Sequence, residues 1–175
     1  IMKVDEEMDH GPILANSKWP IANRDTYEFL SKKLADIGAE LLIKTIPDYI
    51  SGKIKPVEQD HSKATYTKII KKEDGKINWA KSADEIERMT RAYYPWPTAW
   101  TIWNEKILKI IEAEVSSGDG KKINEIFLTK SNEITVECGK DVLIIKKLQL
   151  EGGKVLTAKE FLNGHQDFVG SVLNN

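Results

Sequence analysis

Cysteine is almost missing from this sequence. Cys138 stands alone, so no disulfide can form within the chain, and a lone thiol fits a reducing compartment. No apolar run approaches the roughly 18 residues that a membrane-spanning helix needs. The start shows no pattern of a secretory leader. An excess of one charge is missing too: 26 Lys and Arg oppose 27 Asp and Glu, for a net charge of -1. That balance excludes a strongly basic chain but leaves room for a local basic face. There is no Gly-x-Ser-x-Gly elbow, no phosphate-binding glycine loop and no Cys-x-x-Cys pair. No metal site and no membrane partner are expected. What remains is a soluble, cytoplasmic protein whose 175 residues, 41% hydrophobic, suffice for one packed domain or two small ones.

What is present is organised around Arg91-Ala-Tyr-Tyr-Pro-Trp-Pro-Thr-Ala-Trp100. Each proline fixes φ, removes a donor and pushes its predecessor into extended geometry. The stretch therefore ends a helix and starts something extended. Before it, Ser82 and Glu85 have capping-box spacing, and Ile86, Met89 and Tyr93 mark the buried face of the helix they start. After it the period becomes two. Thr101–Trp103 and Ile107–Ile111 flank Asn104-Glu105-Lys106, a hairpin signal. There follow a loop over Ser116–Gly120, strands over Glu125–Thr129, Ile134–Cys138 and Val142–Leu150, and a turn at Gly139–Asp141. Thr157 and Glu160 cap a short terminal helix through Leu162. Short strands with frequent turns predict a small β-barrel that folds alone from about residue 75 onward.

The first part reads differently. Ile1–Val4 is strand-like with no lead-in; Met2 is one candidate start, and a chain cut within a strand is the other. Asp5, Glu6, Glu7 and Asp9 make an acidic loop closed by Gly11-Pro12, and their spacing matches no metal signature. Ile13–Trp19 reads as a second strand. Asp25 with Glu28 predicts a helix start, and Tyr27, Leu30, Leu34, Ile37 and Leu41 recur at helical spacing. Gly38 is a candidate break, Pro47 a first turn or a kink, and Gly52 a stop. Residues 53–67 read as a linker, with a short helix from Tyr66 to Lys72 and a turn at Asp74-Gly75. Lys53, Lys55, Lys63, Lys68, Lys71, Lys72, Lys76 and Lys81 outnumber Glu58, Asp60, Glu73 and Asp74 in this region. Such a surplus can neutralise phosphates, and it is equally an ordinary solvated connector. In Asp9-His10-Gly11-Pro12, a loop carboxylate beside a glycine can approach a substrate closely. His61 and His165 read as surface residues and Cys138 as a small core residue. The chain is thus an α/β piece, a linker and a β-barrel module.

Three landmarks carry a resemblance. They are Val4-Asp-Glu-Glu-Met-Asp9-His-Gly11-Pro-Ile-Leu14, then Thr65-Tyr66 with Lys71-Lys-Glu73-Asp74-Gly-Lys-Ile-Asn-Trp79, then Arg91 with Pro95-Trp-Pro97. In that order they resemble the 10-formyltetrahydrofolate-dependent formyltransferases. Pro-Trp-Pro favours the methionyl-tRNA formyltransferases over relatives acting on nucleotide sugars or folate itself. The likeness runs on to Leu148–Lys154 and Ala158–Gly164. It implies the C-terminal part of a Rossmann-like catalytic domain over residues 1–52, a basic linker over 53–74 and an OB-like β-barrel over 75–175. The implied activity is formyl transfer from 10-formyltetrahydrofolate to the methionine of initiator methionyl-tRNA, in translation initiation, by an enzyme monomeric when full length. The implied catalytic aspartate is Asp9, and Lys68, Lys71 and Lys72 are the candidate RNA contacts. The family's catalytic asparagine and histidine and its main folate loop lie upstream of this aspartate, so the resemblance is to an N-terminally truncated member, inactive by itself, and assigns no folate-binding residue here. It gives His10 no catalytic role. Two other readings stay open: an RNA-binding barrel without enzymology, and a formyltransferase acting on an amino-sugar nucleotide.

Overall fold

The structure, a computed structural model, describes residues 1–118 and 122–174. It divides into two compact units, Ile1–Ile69 and Ile70–Asn175.

The first unit is built on one long helix, α1 (Tyr27–Ile50). Its N-cap is Thr26 rather than Asp25: the Thr26 hydroxyl accepts from the Phe29 amide at 3.2 Å, while the Asp25 carboxylate is occupied by the Ala22 amide at 2.8 Å. Gly38 does not break the helix, because a single glycine costs only about 1 kcal/mol against the cooperative ladder around it. Pro47 sits inside it near the end, and Gly52 follows the Ser51 cap at φ 74. The strands expected over Ile1–Val4 and Ile13–Trp19 are reduced to isolated antiparallel bridges, Met2 with Ile13 and Ile13 with Val57. Extended segments become strands only where a partner runs beside them, and here the pairing stays short: besides the bridges at Ile13, Lys3 donates to the Pro12 carbonyl and Leu14 and Ala15 to the Ile1 carbonyl. Nor is there a helix from Tyr66 to Lys72. Residues 64–71 carry no regular structure, and the chain instead makes a 3-10 turn at Lys72–Gly75, where the Asp74 carboxylate accepts from the Lys71 amide.

This unit buries little. Of α1 only Thr45 is buried, its hydroxyl donating to the Leu41 carbonyl at 2.6 Å. Leu30, Ile37 and Leu41 are half-buried and Leu34 is exposed. All the buried apolar side chains among the described residues lie between Ile77 and Leu173, in the second unit.

There, α2 (Ala83–Tyr93) starts as its sequence predicts, with Ser82 and Glu85 capping each other's backbone amides and Ala83, Ile86 and Thr90 buried along one face. The helix ends at the proline run, which turns the chain into β1 (Ala99–Trp103). Then come β2 (Lys106–Ser116), β3 (Ile126–Leu128), β4 (Ile134–Glu137), β5 (Val142–Leu150), β6 (Leu156–Thr157) and the Thr157-capped α3 (Ala158–Gly164). The strands form one antiparallel sheet in the order β1-β2-β5-β4-β3, with β6 on β5. The sheet curls, and the segment Gly170–Asn174 bridges its two edges. Ile102 and Asn174 exchange backbone hydrogen bonds on the β1 side, and the Ile126 amide donates to the Ser171 carbonyl on the β3 side. Of the small β-barrel expected from the strand pattern, the structure shows a curled antiparallel sheet. The expected loop over Ser116–Gly120 falls partly on residues outside those described; Ser116 itself still belongs to β2. The two-residue β6 has no length on which alternation could show.

The β1–β2 turn is shorter than the expected three residues. Asn104 and Glu105 take φ of 47 and 62, and Lys106 already pairs with Trp103. A two-residue hairpin needs φ > 0 at both central positions, which suits asparagine and strains glutamate. Glu105→Gly is therefore expected to raise stability by about 0.5–1 kcal/mol, read from the urea midpoint at unchanged slope.

Cys138 is a core residue, 3% exposed, and burial pushes its thiol up to about 12. Thiolate is the reactive form. Iodoacetamide at neutral pH is expected to leave Cys138 intact in the folded chain and to alkylate it in denaturant, as mass spectrometry would show; rapid labelling of the folded chain would contradict its burial.

Candidate functional site: the aspartate loop and the lysine-bearing segment

The loop that carries Asp9 is short, acidic and held from several sides. Gly11 lies so close to the Lys3 carbonyl oxygen that a β-carbon there would stand 2.0 Å from it. The Lys3 amide donates to the Pro12 carbonyl at 3.0 Å. Gln59, far along the chain, points its amide nitrogen at the Asp9 and Gly11 carbonyls, at 2.9 and 2.8 Å. These contacts hold Asp9 at φ 54, a conformation that aspartate tolerates better than most residues. Asp9, Gln59, Asn16 and Ser17 line a cleft of about 440 Å³ together with Ile37 and Leu41 of α1. No hydrogen bond to the Asp9 carboxylate occurs among the described residues.

His10 is engaged by Asp5 and His61. Its Nδ1 lies 2.7 Å from the Asp5 carboxylate, and its ring stacks on His61 at 3.8 Å and 8°. The hydrogen bond with Asp5 holds the imidazole above its ordinary pKa, and the same bond holds the Asp5 carboxyl below its own. The surface reading holds for His61, which is exposed as well as stacked, and fails for His165, which aromatic neighbours cover in part. His165 is half-buried, packed 4.3 Å from Phe161 and edge-on to Trp103 at 5.4 Å.

Lys68 falls in the first unit, and Lys71 and Lys72 in the second; all three side chains are exposed. Lys72 borders a second cleft, of about 300 Å³, that also takes in Trp96, Trp100 and Lys109. Of this lining, Lys72 is among the candidate RNA contacts that the resemblance names. Neither Gln59 nor this cleft was legible in the sequence, because 48 and 50 residues separate Gln59 from the carbonyls it binds, and the cleft joins three strands. No group of three or more metal-ligating side chains occurs among the described residues, and none of their helices is long and apolar enough to cross a membrane.

The first unit thus carries a loop carboxylate lining a cleft, and the second a lysine-bearing turn and a curled antiparallel sheet. Residues 69–166 match the family described as formyl transferase, C-terminal domain, and residues 1–46 the one described as formyl transferase. A curated methionyl-tRNA formyltransferase of Chloroflexus aurantiacus is 41% identical over 170 residues, covering 95% of this chain and 55% of the relative. The protein of the same name from Lachnospira eligens is 38% identical, covering 98% and 56%. The crystal structure of a HypX variant from Aquifex aeolicus has a TM-score of 0.73 at 15% identity, covering 96% of this chain and 30% of its own. The sugar 3N-formyl transferase WlaRD, crystallised in the presence of dTDP and 5-N-formyl-THF, has a TM-score of 0.61 at 22% identity, covering 87% and 54%. At those identities the likeness is one of fold. The chain belongs to the formyl transferase family, and it spans about half the length of the curated relatives it matches.

Proposed function

We propose that this chain is the tRNA-engaging half of a methionyl-tRNA formyltransferase, carrying the enzyme's catalytic aspartate. The observation that supports this most is that relatives of that name match it at 37–41% identity through 94–98% of its length, across both units. On this reading residues 1–52 close a Rossmann-like catalytic domain, residues 53–74 are a basic linker and residues 75–175 are an OB-like barrel. The donor is 10-formyltetrahydrofolate and the acceptor is initiator methionyl-tRNA.

The chemistry asks for what the Asp9 loop offers. The methionine amine attacks the formyl carbon; a C–N bond forms, and the carbonyl oxygen takes negative charge. As the carbonyl re-forms, the bond to the folate nitrogen breaks. One proton leaves the amine and one reaches the departing nitrogen, so the charges balance. The oxyanion needs donors, which the resemblance places upstream of Asp9. An uncommitted carboxylate with a fixed backbone can orient a neighbouring imidazole and pass the proton. Lys68, Lys71 and Lys72 would hold tRNA phosphates, contacts that position the acceptor end without reading sequence.

Titration of the 175-residue chain with initiator methionyl-tRNA and with an elongator tRNA, at two salt concentrations, tests this. The expected result is tighter binding of the initiator, weakening with salt, with Lys71→Gln and Lys72→Gln each lowering the log–log salt slope by about one. No binding of either tRNA at low salt would remove the tRNA assignment.

A further inference from the structure

We propose that the cleft beside Pro95-Trp96-Pro97 is a stacking site for one unpaired nucleotide of an RNA, with Trp96 as the platform and Lys72 and Lys109 taking the flanking phosphates. This deepens the tRNA-binding reading and rests on it.

The turn is built at a cost that its role as a connector does not require. Thr98 is 2% exposed and has φ 68, a conformation hostile to a β-branched side chain. Strain of that kind is worth about 1–3 kcal/mol and persists only where the surroundings over-determine it. Here they do. The Thr98 amide donates to the Tyr93 carbonyl at 2.8 Å, and its hydroxyl donates to the Pro95 carbonyl at 2.7 Å. Gly75 packs beneath: a β-carbon on it would stand 2.2 Å from the Thr98 carbonyl oxygen and 3.0 Å from the Trp100 ring. The result is that Trp96 stands 60% exposed on a backbone with little freedom, while Pro97 beside it is buried. An aromatic with most of its surface in water contributes little burial to the chain itself, and on a rigid support it loses little entropy when a ring stacks on it.

The remaining wall has matching chemistry. The strand register sets Trp100 opposite Lys109 and Lys109 opposite Gln149, one row across β1, β2 and β5. Trp100 is fixed by its indole N–H, which donates to the Lys72 carbonyl at 3.0 Å, and by the Lys76 ammonium over its ring at 5.8 Å. The one carboxylate on the lining, Glu151, is already committed to the Ile107 amide at 3.0 Å. Among the described residues no ion pair takes up the Lys72 or Lys109 ammonium. A cleft of about 300 Å³ is at the small end of the range for sites that take a small planar ligand. Two aromatics and two unpaired cations in it fit a base with its phosphates. Every base has a π-face, so the site would be tolerant of sequence.

The test titrates the chain, and its Trp96→Ala, Trp96→Phe and Lys109→Gln variants, with initiator methionyl-tRNA and with an unstructured oligoadenylate decamer. Trp96 is exposed enough for its truncation to leave the core intact, which a melting temperature within a few degrees of the parent checks. Trp96→Ala should weaken both RNAs about 5- to 100-fold, and Trp96→Phe should recover most of that loss. Lys109→Gln should lower the salt slope by about one. If tRNA binds equally well to Trp96→Ala, or if phenylalanine recovers nothing, the stacking site is overturned and the tRNA reading stands. If the decamer binds through Trp96 but tRNA neither binds nor competes, the cleft stands and the tRNA reading falls. If neither RNA binds the parent chain, both fall.

Discussion

Asp9→Asn is expected to cut formyl transfer by about 10²- to 10⁴-fold, the range by which a positioned proton-transfer group accelerates such reactions. The assay uses a chimera in which this chain replaces the matching part of the Chloroflexus aurantiacus relative, of which it spans 55%. Asparagine keeps the size of the side chain and accepts the positive φ of Asp9 as readily. The side chain is exposed, so the melting temperature should not move. The loss should sit in kcat, with KM for the formyl donor nearly constant, because an interaction made only in the transition state is removed. A variant keeping more than about a tenth of the parent kcat would take Asp9 out of the proton path. Gln59→Leu separates chemistry from placement. It removes the amide that holds the Asp9 and Gly11 carbonyls while leaving the carboxylate, so a partial loss is expected, smaller than that of Asp9→Asn.

The largest expected effect on stability belongs to Trp79→Ala. Trp79 is 0% exposed and is the largest of the fully buried side chains. It follows Ile77, whose amide donates to the Trp100 carbonyl of β1 at 2.8 Å. Its indole N–H donates to the Thr101 hydroxyl at 3.1 Å, and that hydroxyl donates onward to the Asn174 carbonyl at 2.7 Å, in the tail that bridges the sheet edges. Truncation would open a cavity and loosen that link together. A cost of about 3–5 kcal/mol follows for an aromatic-to-alanine change in a core, against a total of about 5–15 kcal/mol for a domain. The urea midpoint of the second unit should fall accordingly. Trp79→Phe should lose less, since it keeps most of the volume and forfeits the hydrogen bond. A loss under about 1 kcal/mol for Trp79→Ala would mean that the core does not close on this residue.

The elements legible beforehand are those whose causes are local. The Ser82–Glu85 and Thr157–Glu160 boxes start α2 and α3 because each satisfies two orphan amides with its own side chains. The proline run ends α2 because proline has no N–H to give. The alternation in β1 and in the first part of β2 shows because burial acts within each strand. The family resemblance, too, rests on stretches of contiguous residues. Where the sequence reading failed, the cause lay elsewhere in the chain. Ile1–Val4 and Ile13–Trp19 have strand composition, yet a strand needs a partner running alongside, and composition cannot supply one. Asp25 and Thr26 are both good caps, and only the path of the backbone before α1 chose threonine.

The sequence by itself determined the residue types: a carboxylate beside a glycine, a lysine-bearing turn, a rigid Pro-Trp-Pro run. Tertiary structure alone decided what they can reach. It brought Gln59 onto the Asp9 loop, ran the tail between β3 and β1, and set Trp100, Lys109 and Gln149 in one row. Hydrogen bonds and strand register between distant residues depend on how the whole chain closes, and no local pattern encodes that closure.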